Sequence, residues 1–303
     1  MNNWDKINGV SKMQGYIEAH LNEKITLHDL AVVSGYSPWY ASRIFKEYTG
    51  KTPLQYIRAL RLSKAAMCLQ KSDSRILDVA LDFVFDSHEG FTRAFSDQFG
   101  MTPRAYRKDP PPIPLFMPSD ISGYQRLLEK GDVTMTNKKE QPLMPIFVQV
   151  VDRPKRKVIL KRGIQAKDYF AYCEEVGCDV WGVLCSVKEA LYEPIGMWLP
   201  KAMRPTGTSE YAQGVEVPAD YAGVVPEGFD LMDLPACKVM VFQGPPFDNE
   251  VFEGAIGDVW AMMKSYDPTL YGFQWADDLC PRFQLEPQGE RGYIEARPVV
   301  ELT

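Results

Sequence analysis

The heptapeptide Gly50-Lys51-Thr52-Pro53-Leu54-Gln55-Tyr56 returns as Gly100-Met101-Thr102-Pro103-Arg104-Ala105-Tyr106, and this offset of 50 constrains the fold more than any other feature of the 303-residue chain. The segments leading into the two copies agree as well. Arg43-Ile44-Phe45 matches Arg93-Ala94-Phe95 at the same offset, and Leu30-Ala31 matches Val79-Ala80 at 49, so the second turn carries one extra residue. Apolar residues in this part recur at helical spacing, with almost no strand pattern. The first third of the chain therefore reads as one helical unit present twice.

In the first unit, Ile25–Gly50, Thr26 caps a short helix Leu27–Ser34 whose Leu27, Leu30 and Ala31 share a face. Ala31 is small enough for a second helix to cross closely, and Gly35 supplies the left-handed conformation of a tight bend. Ser37 as N-cap and Pro38 at the first position start the next helix. There Ala41, Ile44, Phe45 and Tyr48 point inward, while Trp39, Ser42, Arg43 and Lys46 share the opposite face. Such an outward stripe suits a DNA major groove: Arg pairs with guanine in two bonds, Ser donates or accepts, and Lys takes phosphate.

The second unit repeats the pattern with Ile76-Leu77-Asp78-Val79-Ala80, a turn at Val84-Phe85, an N-cap at Ser87, and Phe91, Ala94 and Phe95 inward. Its outer stripe holds Ser87, His88, Glu89, Thr92 and Arg93, with Ser96 beyond. Glu89 repels phosphate, so it fits only as an acceptor for cytosine N4 or as a selective element. Between the units Leu54–Leu69 reads as one helix, roughly 25 Å long at ~1.5 Å per residue. That length sets two recognition helices about one DNA turn apart without a dimer.

Charge agrees with a divided chain. Residues 1–108 hold 15 basic against 11 acidic side chains, net +4, and the remainder carries −10, although the whole chain is −6. A boundary is expected at Asp109-Pro110-Pro111-Pro112-Ile113-Pro114, because adjacent prolines continue neither helix nor ladder. Residues 109–143 read as a linker with a short helix at Gly123–Lys130. Beyond it, β-branched runs (Ile146–Val151, Lys157–Leu160, Lys238–Phe242, Tyr293–Val300) mix with helical stretches (Asp168–Val176, Val183–Tyr192, Asn249–Tyr266). The fold class is thus multidomain: an all-α double helix-turn-helix domain followed by an α+β domain of two similar halves. A second repeat, Pro154-Lys155-Arg156-Lys157-Val158 against Pro235-Ala236-Cys237-Lys238-Val239, points to those halves.

Several classes are disfavoured. No stretch approaches the ~18 apolar residues of a membrane span, and Met1-Asn2-Asn3-Trp4-Asp5-Lys6 does not begin a secretory signal, so a cytoplasmic protein is expected. The six cysteines at 68, 173, 178, 185, 237 and 280 form no CxxC pair and no cluster with His20, His28 or His88, so reduced thiols and no metal are expected. No GxSxG, HExxH, Cys–His pair or phosphate loop occurs, and no His follows residue 88, so neither an enzyme nor a cofactor is expected.

Ala31-x3-Gly35-Tyr36-Ser37, Arg43-x-Phe45-Lys46, Gly50-x-Thr52-Pro53-x-x-Tyr56-Ile57, Arg61-Leu62-x-x-Ala65 and Phe85-Asp86-Ser87-His88-Glu89-Gly90-Phe91-Thr92-Arg93-Ala94-Phe95 resemble the AraC/XylS transcription regulators over about residues 8–108. The resemblance implies two recognition helices in successive major grooves, with Trp39, Ser42 and Arg43 near bases and Arg93 as the second anchor. It also implies double-stranded promoter DNA and RNA polymerase as partners, and an activator's role. One position departs: that family usually has Gly in the second turn, where this chain has Val84. A β-branched residue tolerates positive φ poorly, so an altered pivot, or looser contact with DNA, is expected there.

From residue 144 to 303 the order of elements, with Gly272-Phe273-Gln274-Trp275-Ala276-Asp277-Asp278 and Arg291-Gly292-Tyr293-Ile294-Glu295-Ala296-Arg297-Pro298, resembles gyrase-inhibitor-like (GyrI-like) effector-binding domains. Aromatics are dense here, and aromatic walls with inward carboxylates bind flat, apolar, often cationic ligands. The expected small-molecule pocket draws on Trp181, Trp198, Tyr221 and Trp275. By the resemblance its carboxylate lies on a late strand, Asp277, Asp278 or Glu295, with Glu216 as counterpart in the other half. Two other readings remain open for this domain: a small-molecule hydrolase and a module that grips a partner protein.

Overall fold

The computed structural model describes residues 3–71, 74–118, 146–177, 179–248 and 252–302. The chain divides into two compact units, Met1–Val133 and Thr134–Thr303.

The described part of the first unit is helical: α1 (Asn3–Ala19), α2 (Leu27–Ser34), α3 (Pro38–Thr49), α4 (Pro53–Lys71), α5 (Ile76–Asp82), α6 (His88–Phe99) and α7 (Pro103–Lys108). Thr26 and Asp29 close a reciprocal capping box on α2, and Ser37 caps α3 ahead of Pro38. α1 packs on α2 and α3 as α4 packs on α5 and α6, 50 residues further on. It buries Ile7, Val10, Met13 and Ile17, and Gln14 Nε2 donates to the Tyr56 hydroxyl at 3.0 Å. The repeat continues in the core: Phe45 meets Tyr56 edge-on at 5.1 Å between ring centroids, and Phe95 meets Tyr106 at 5.7 Å. Burial pushes both tyrosines up to about 12.

The expected linker begins later than its prolines indicate. Ile113 and Leu115 are buried, Phe116 packs edge-on against Tyr56 at 4.9 Å, and its N–H donates to Ser63 Oγ at 2.7 Å. The prolines stop α7, but the apolar residues between them return the chain to the helical core. The helix expected at 123–130 lies outside the described residues.

In the second unit the described strands are β1 (Phe147–Arg153), β2 (Arg156–Arg162), β3 (Ile195–Trp198), β4 (Tyr211–Pro218), β5 (Asp230–Leu234), β6 (Cys237–Gln243), β7 (Phe273–Trp275), β8 (Arg282–Gln284) and β9 (Ile294–Glu301). They form one antiparallel sheet in the order β1-β6-β9-β8-β3-β4-β2-β5, with β7 also on β9. Helices α8 (Tyr169–Val176), α9 (Asp179–Cys185) and α10 (Phe252–Ser265) join its cores: Tyr172, Val180 and Leu184 with Tyr211, Val215 and Val217, and Val259 and Met263 with Met240, Phe242, Tyr293 and Val299. The helix expected over 183–192 lies earlier. It ends at Cys185, and Leu191 is drawn to the sheet, its N–H donating to the Glu216 carbonyl at 2.8 Å.

The two bends of the helical unit share one backbone solution. Tyr36 N–H donates to the Ala31 carbonyl at 3.1 Å and Phe85 N–H to that of Ala80 at 2.9 Å, while Gly35 stands at φ 72° and Val84 at φ 60°. The second turn therefore keeps the hydrogen bonding of the first, and the β-branched residue holds a left-handed conformation that costs it about 1–2 kcal/mol. Val84→Gly relieves that strain at some cost in chain entropy, so it is expected to raise the unfolding free energy of this unit by about 1 kcal/mol in urea titrations. Gly35→Val is expected to lower it by a comparable amount.

Candidate nucleic-acid interface and buried carboxylates

On α3 the inward residues Ala41, Ile44 and Phe45 are buried, which turns Trp39, Arg43 and Lys46 outward. Trp39 is 72% exposed, an unusual position for an indole without a partner. Arg43 lies against two rings, its Cζ 5.3 Å from the centre of Trp39 and 4.9 Å from that of Tyr40, which restricts its rotamers before any ligand arrives. Ser42 is half-buried at the edge of this stripe.

On α6, His88, Glu89 and Arg93 are exposed. Two expected contacts look different. Ser87 Oγ accepts the Gly90 N–H at 3.0 Å, so its oxygen serves as the helix cap. Thr92 Oγ1 is buried without a hydrogen bond, because Thr92 sits at the margin of the packed face made by Phe91, Ala94 and Phe95; its hydroxyl does not belong to the outward stripe. α4 has 19 residues and is about 28 Å long.

In the second unit the acids expected in one pocket are distributed over three places, each with an arginine and an aromatic ring. Glu295 is fully buried on β9, on the sheet face that carries α10. Its Oε2 accepts Trp260 Nε1–H at 2.6 Å and the Tyr293 hydroxyl at 2.7 Å, and its Oε1 lies 2.8 Å from Arg282 Nε. Arg282 Cζ stands 4.1 Å from the centre of the Trp198 ring. Burial raises the Glu295 pKa against the pull of Arg282, Tyr293 and Trp260, and burial followed by Glu295 raises that of Tyr293. Gln284 joins this group, its Oε1 lying 3.1 Å from the Tyr293 hydroxyl and its Nε2 3.5 Å from the Tyr211 hydroxyl. Gly196 is required beside it, since a Cβ there would come within 2.1 Å of the Tyr211 oxygen.

Glu216 projects from the other face of the sheet. Along β4, Tyr211, Val215 and Val217 pack with the helices, whereas Ala212 belongs to the opposite core, and the two-residue period places Glu216 with Ala212. Its expected pairing with Glu295 is therefore corrected by register. Glu216 lies opposite Val158 and Glu295 opposite Phe242, and under the proline-led repeat Phe242 corresponds to Lys161, whose partner is Gln213. Glu216 accepts Arg156 Nε–H at 2.7 Å and lies 3.2 Å from Arg153 Nη1, and Arg153 stacks on Tyr192 at 4.1 Å. Both Nη atoms of Arg156 reach Cys237 Sγ at 3.8 Å. A hydrogen bond from Cys280, reinforced by Arg156, holds the Cys237 thiol below its ordinary range.

Asp277 is bound by Arg297 through two bonds, the Nε one at 2.7 Å, and Arg297 lies 4.1 Å over Trp275. Trp275 in turn packs against the Phe242 core. Tyr221 packs in the α8–α9 core, its hydroxyl donating to the Val224 carbonyl at 2.9 Å, and Trp181 is half-buried on α9. Of the expected ligand residues, the structure unites Trp198 and Glu295. Arg282, Gln284, Trp260 and Tyr293 complete that group, and the Tyr-x-Glu alternation of Tyr293 and Glu295 was the one local signal for any of them.

A helix-turn-helix domain family matches residues 30–109. Over 139 residues the chain is 46% identical to the Right origin-binding protein of Escherichia coli strain K12, a match covering 46% of this chain and 43% of that protein. The chain thus spans less than half the length of that relative. It is 41% identical over 104 residues to the Probable transcription factor PqrA of Proteus vulgaris, covering 34% of this chain and 85% of that one. A solved transcriptional regulator of the AraC-type DNA-binding domain-containing proteins, from Chromobacterium violaceum, is 30% identical and covers 36% of this chain and 99% of its own, with a TM-score of 0.33.

The Glu216 cluster has the geometry of a structural clamp. Arg156 and Glu216 are each 2% exposed, and Arg156 Nη1 also donates to the Pro154 and Pro235 carbonyls at 3.1 and 3.2 Å. Glu216→Ala leaves a buried guanidinium without its anion and is expected to lower the stability of this unit by about 3–5 kcal/mol. Adding Arg156→Met is expected to recover part of the loss, both measured in the urea transition of the second unit.

Proposed function

Because the chain belongs to the AraC family of helix-turn-helix DNA-binding regulators, we propose that it regulates transcription by binding promoter DNA through residues 1–108 under the control of a small molecule bound within 144–303. The outward Trp39, Arg43 and Lys46 stripe, held over a buried Ala41, Ile44 and Phe45 face, is the observation that carries the DNA-binding part. In this reading Arg43 pairs with a base, Lys46 takes phosphate, and Arg93 anchors the second helix with His88 and Glu89 selecting sequence. RNA polymerase is the partner through which a bound regulator of this kind acts.

The second domain is read as GyrI-like, with two similar halves. The strand order supports this, because exchanging β1 with β5, β2 with β6, β3 with β8 and β4 with β9 reverses the order onto itself. Tyr211-x-Gln213 and Tyr293-x-Glu295 then occupy equivalent places, and the half with the carboxylate is the one that receives the ligand. The effector seat is Glu295 with Trp198, Trp260 and Tyr293: one buried anion beside aromatic faces, the chemistry that selects planar cations.

Arg43→Ala is expected to weaken specific operator binding by about 1–3 kcal/mol, read by footprinting across a protein titration; an unchanged footprint removes α3 from base recognition. A thermal-shift screen with cationic aromatic compounds is expected to give ligands that raise the melting temperature of the wild-type chain but not of Glu295→Gln. Ligands indifferent to that substitution place the effector elsewhere.

A further inference from the structure

Arg282 stands where the cation of such a ligand would stand. Its guanidinium lies against Trp198 with Cζ 4.1 Å from the ring centre, and Nε is 2.8 Å from Glu295 Oε1. Yet the pairing is incomplete. Neither Arg282 Nε nor Glu295 Oε1 has a hydrogen-bond partner of acceptable geometry, although both atoms are buried. The carboxylate's other oxygen is saturated by Trp260 and Tyr293. Oε1 is thus a buried acceptor held by charge at 2.8 Å but by no well-aligned hydrogen bond, so a better-oriented donor improves on Arg282.

The contrast with the other two acids is sharp. Arg297 holds Asp277 with two bonds, and Arg156, 2% exposed, gives Glu216 a well-formed one while its Nη1 binds two carbonyls. Glu216 Oε2 also lacks a hydrogen bond, but the acid stays paired to the enclosed Arg156, and Arg153 beside that oxygen is only 10% exposed. Arg282 has a 37% exposed side chain on a strand of three residues, while Glu295 beneath it is fully buried. The arginine therefore has a path to solvent that the acid lacks. Trp198 stays behind when it leaves, because its Nε1–H donates to the Lys167 carbonyl at 2.9 Å.

We propose that Arg282 is a displaceable internal occupant of the Glu295 seat, and that a planar aromatic monocation binds by exchanging places with its guanidinium between Trp198 and Glu295. The proposal rests on Glu295 being the effector carboxylate. Exchange keeps the buried anion paired before and after binding, so the step avoids exposing an uncompensated charge to the interior. It also makes the site selective: a ligand must outcompete a tethered guanidinium, which a neutral aromatic or a strongly hydrated small cation does poorly.

The test is calorimetric titration of the full chain with benzamidinium, a flat monocation with two parallel N–H donors. It is run at pH 8.5, because burial raises the Glu295 pKa and loss of Arg282 raises it further. An occupant in place nine-tenths of the time masks affinity about tenfold, so Arg282→Ala is expected to bind at least about tenfold tighter than wild type. Arg282→Met, which keeps the aliphatic stem over Trp198, is expected to do the same, and Arg282→Met with Glu295→Gln to lose the gain. Thermal melts identify which of the two Arg282 variants is folded and titratable. If Glu295→Gln abolishes wild-type binding but neither Arg282 variant binds more tightly, the seat stands and the occupant does not. If the folded Arg282 variants bind no benzamidinium, or bind it independently of Glu295, both the occupant and the effector carboxylate are overturned.

Discussion

The orientation of each recognition helix hangs on one backbone hydrogen bond, from the residue after a left-handed turn to the carbonyl five positions back. Tyr36 to Ala31 and Phe85 to Ala80 make that bond in the two units. The bend it closes delivers the chain to Ser37 or Ser87, whose side chain caps the next helix and fixes where its first turn begins. From that point the 3.6-residue period alone decides which side chains face out. Tyr56 and Tyr106 then lock each recognition helix against the helix that follows, and α4 supplies the common rod. Strain at Val84 is tolerated because a turn without this bond would rotate the whole outward stripe.

The sheet unit answers to a different constraint, the cost of burying charge. Glu216 and Glu295 lie in its interior, and each has a guanidinium beside it and a ring beneath that guanidinium. An arginine, a carboxylate and an aromatic face are equally the parts of a structural clamp and of a cation-binding site. Hydrogen-bond geometry and the arginine's exposure separate the two. Arg156 is enclosed and bonded on several sides, so its cluster holds β2, β4 and the β5–β6 connection together. Arg282 is open on one side and poorly aligned, so its cluster can exchange partners.

The helical unit was legible in the sequence because its decisive signals are local. Thr26, Ser37, Gly35 and the Thr-Pro pairs act within four residues of where they stand, and the repeat showed them twice. The buried positions between the prolines, Ile113 and Leu115, were missed because proline dominates a composition-based boundary while packing is decided by its neighbours. In the sheet unit the strands with long β-branched runs were legible. The short β3 and β8 were not, and they carry Trp198, Arg282 and Gln284. Register is the other gap. Glu295 was found, but its equation with Glu216 failed because a side chain's face depends on pairing that no local pattern encodes. Asp277 and Trp275 were expected in the ligand pocket, and no local pattern could show that Arg297 joins them to each other.

The two recognition stripes are unequal in a way that divides the work of binding. α3 presents Arg43 and Lys46 beside one exposed acid, Glu47, which lies 3.9 Å from Lys6, whereas α6 sets Glu89 against Arg93. Attraction to phosphate is the sequence-independent part of affinity and scales with the cations delivered. If both stripes meet DNA as proposed, the first unit would supply more of the capture, and the second, with Glu89 set against Arg93, more of the discrimination. A carboxylate near DNA is tolerable only opposite a donor such as cytosine N4, and every other base pair leaves it desolvated and repelled. On that proposal, affinity at one end and selectivity at the other would let the two units of one chain divide the work of choosing a site.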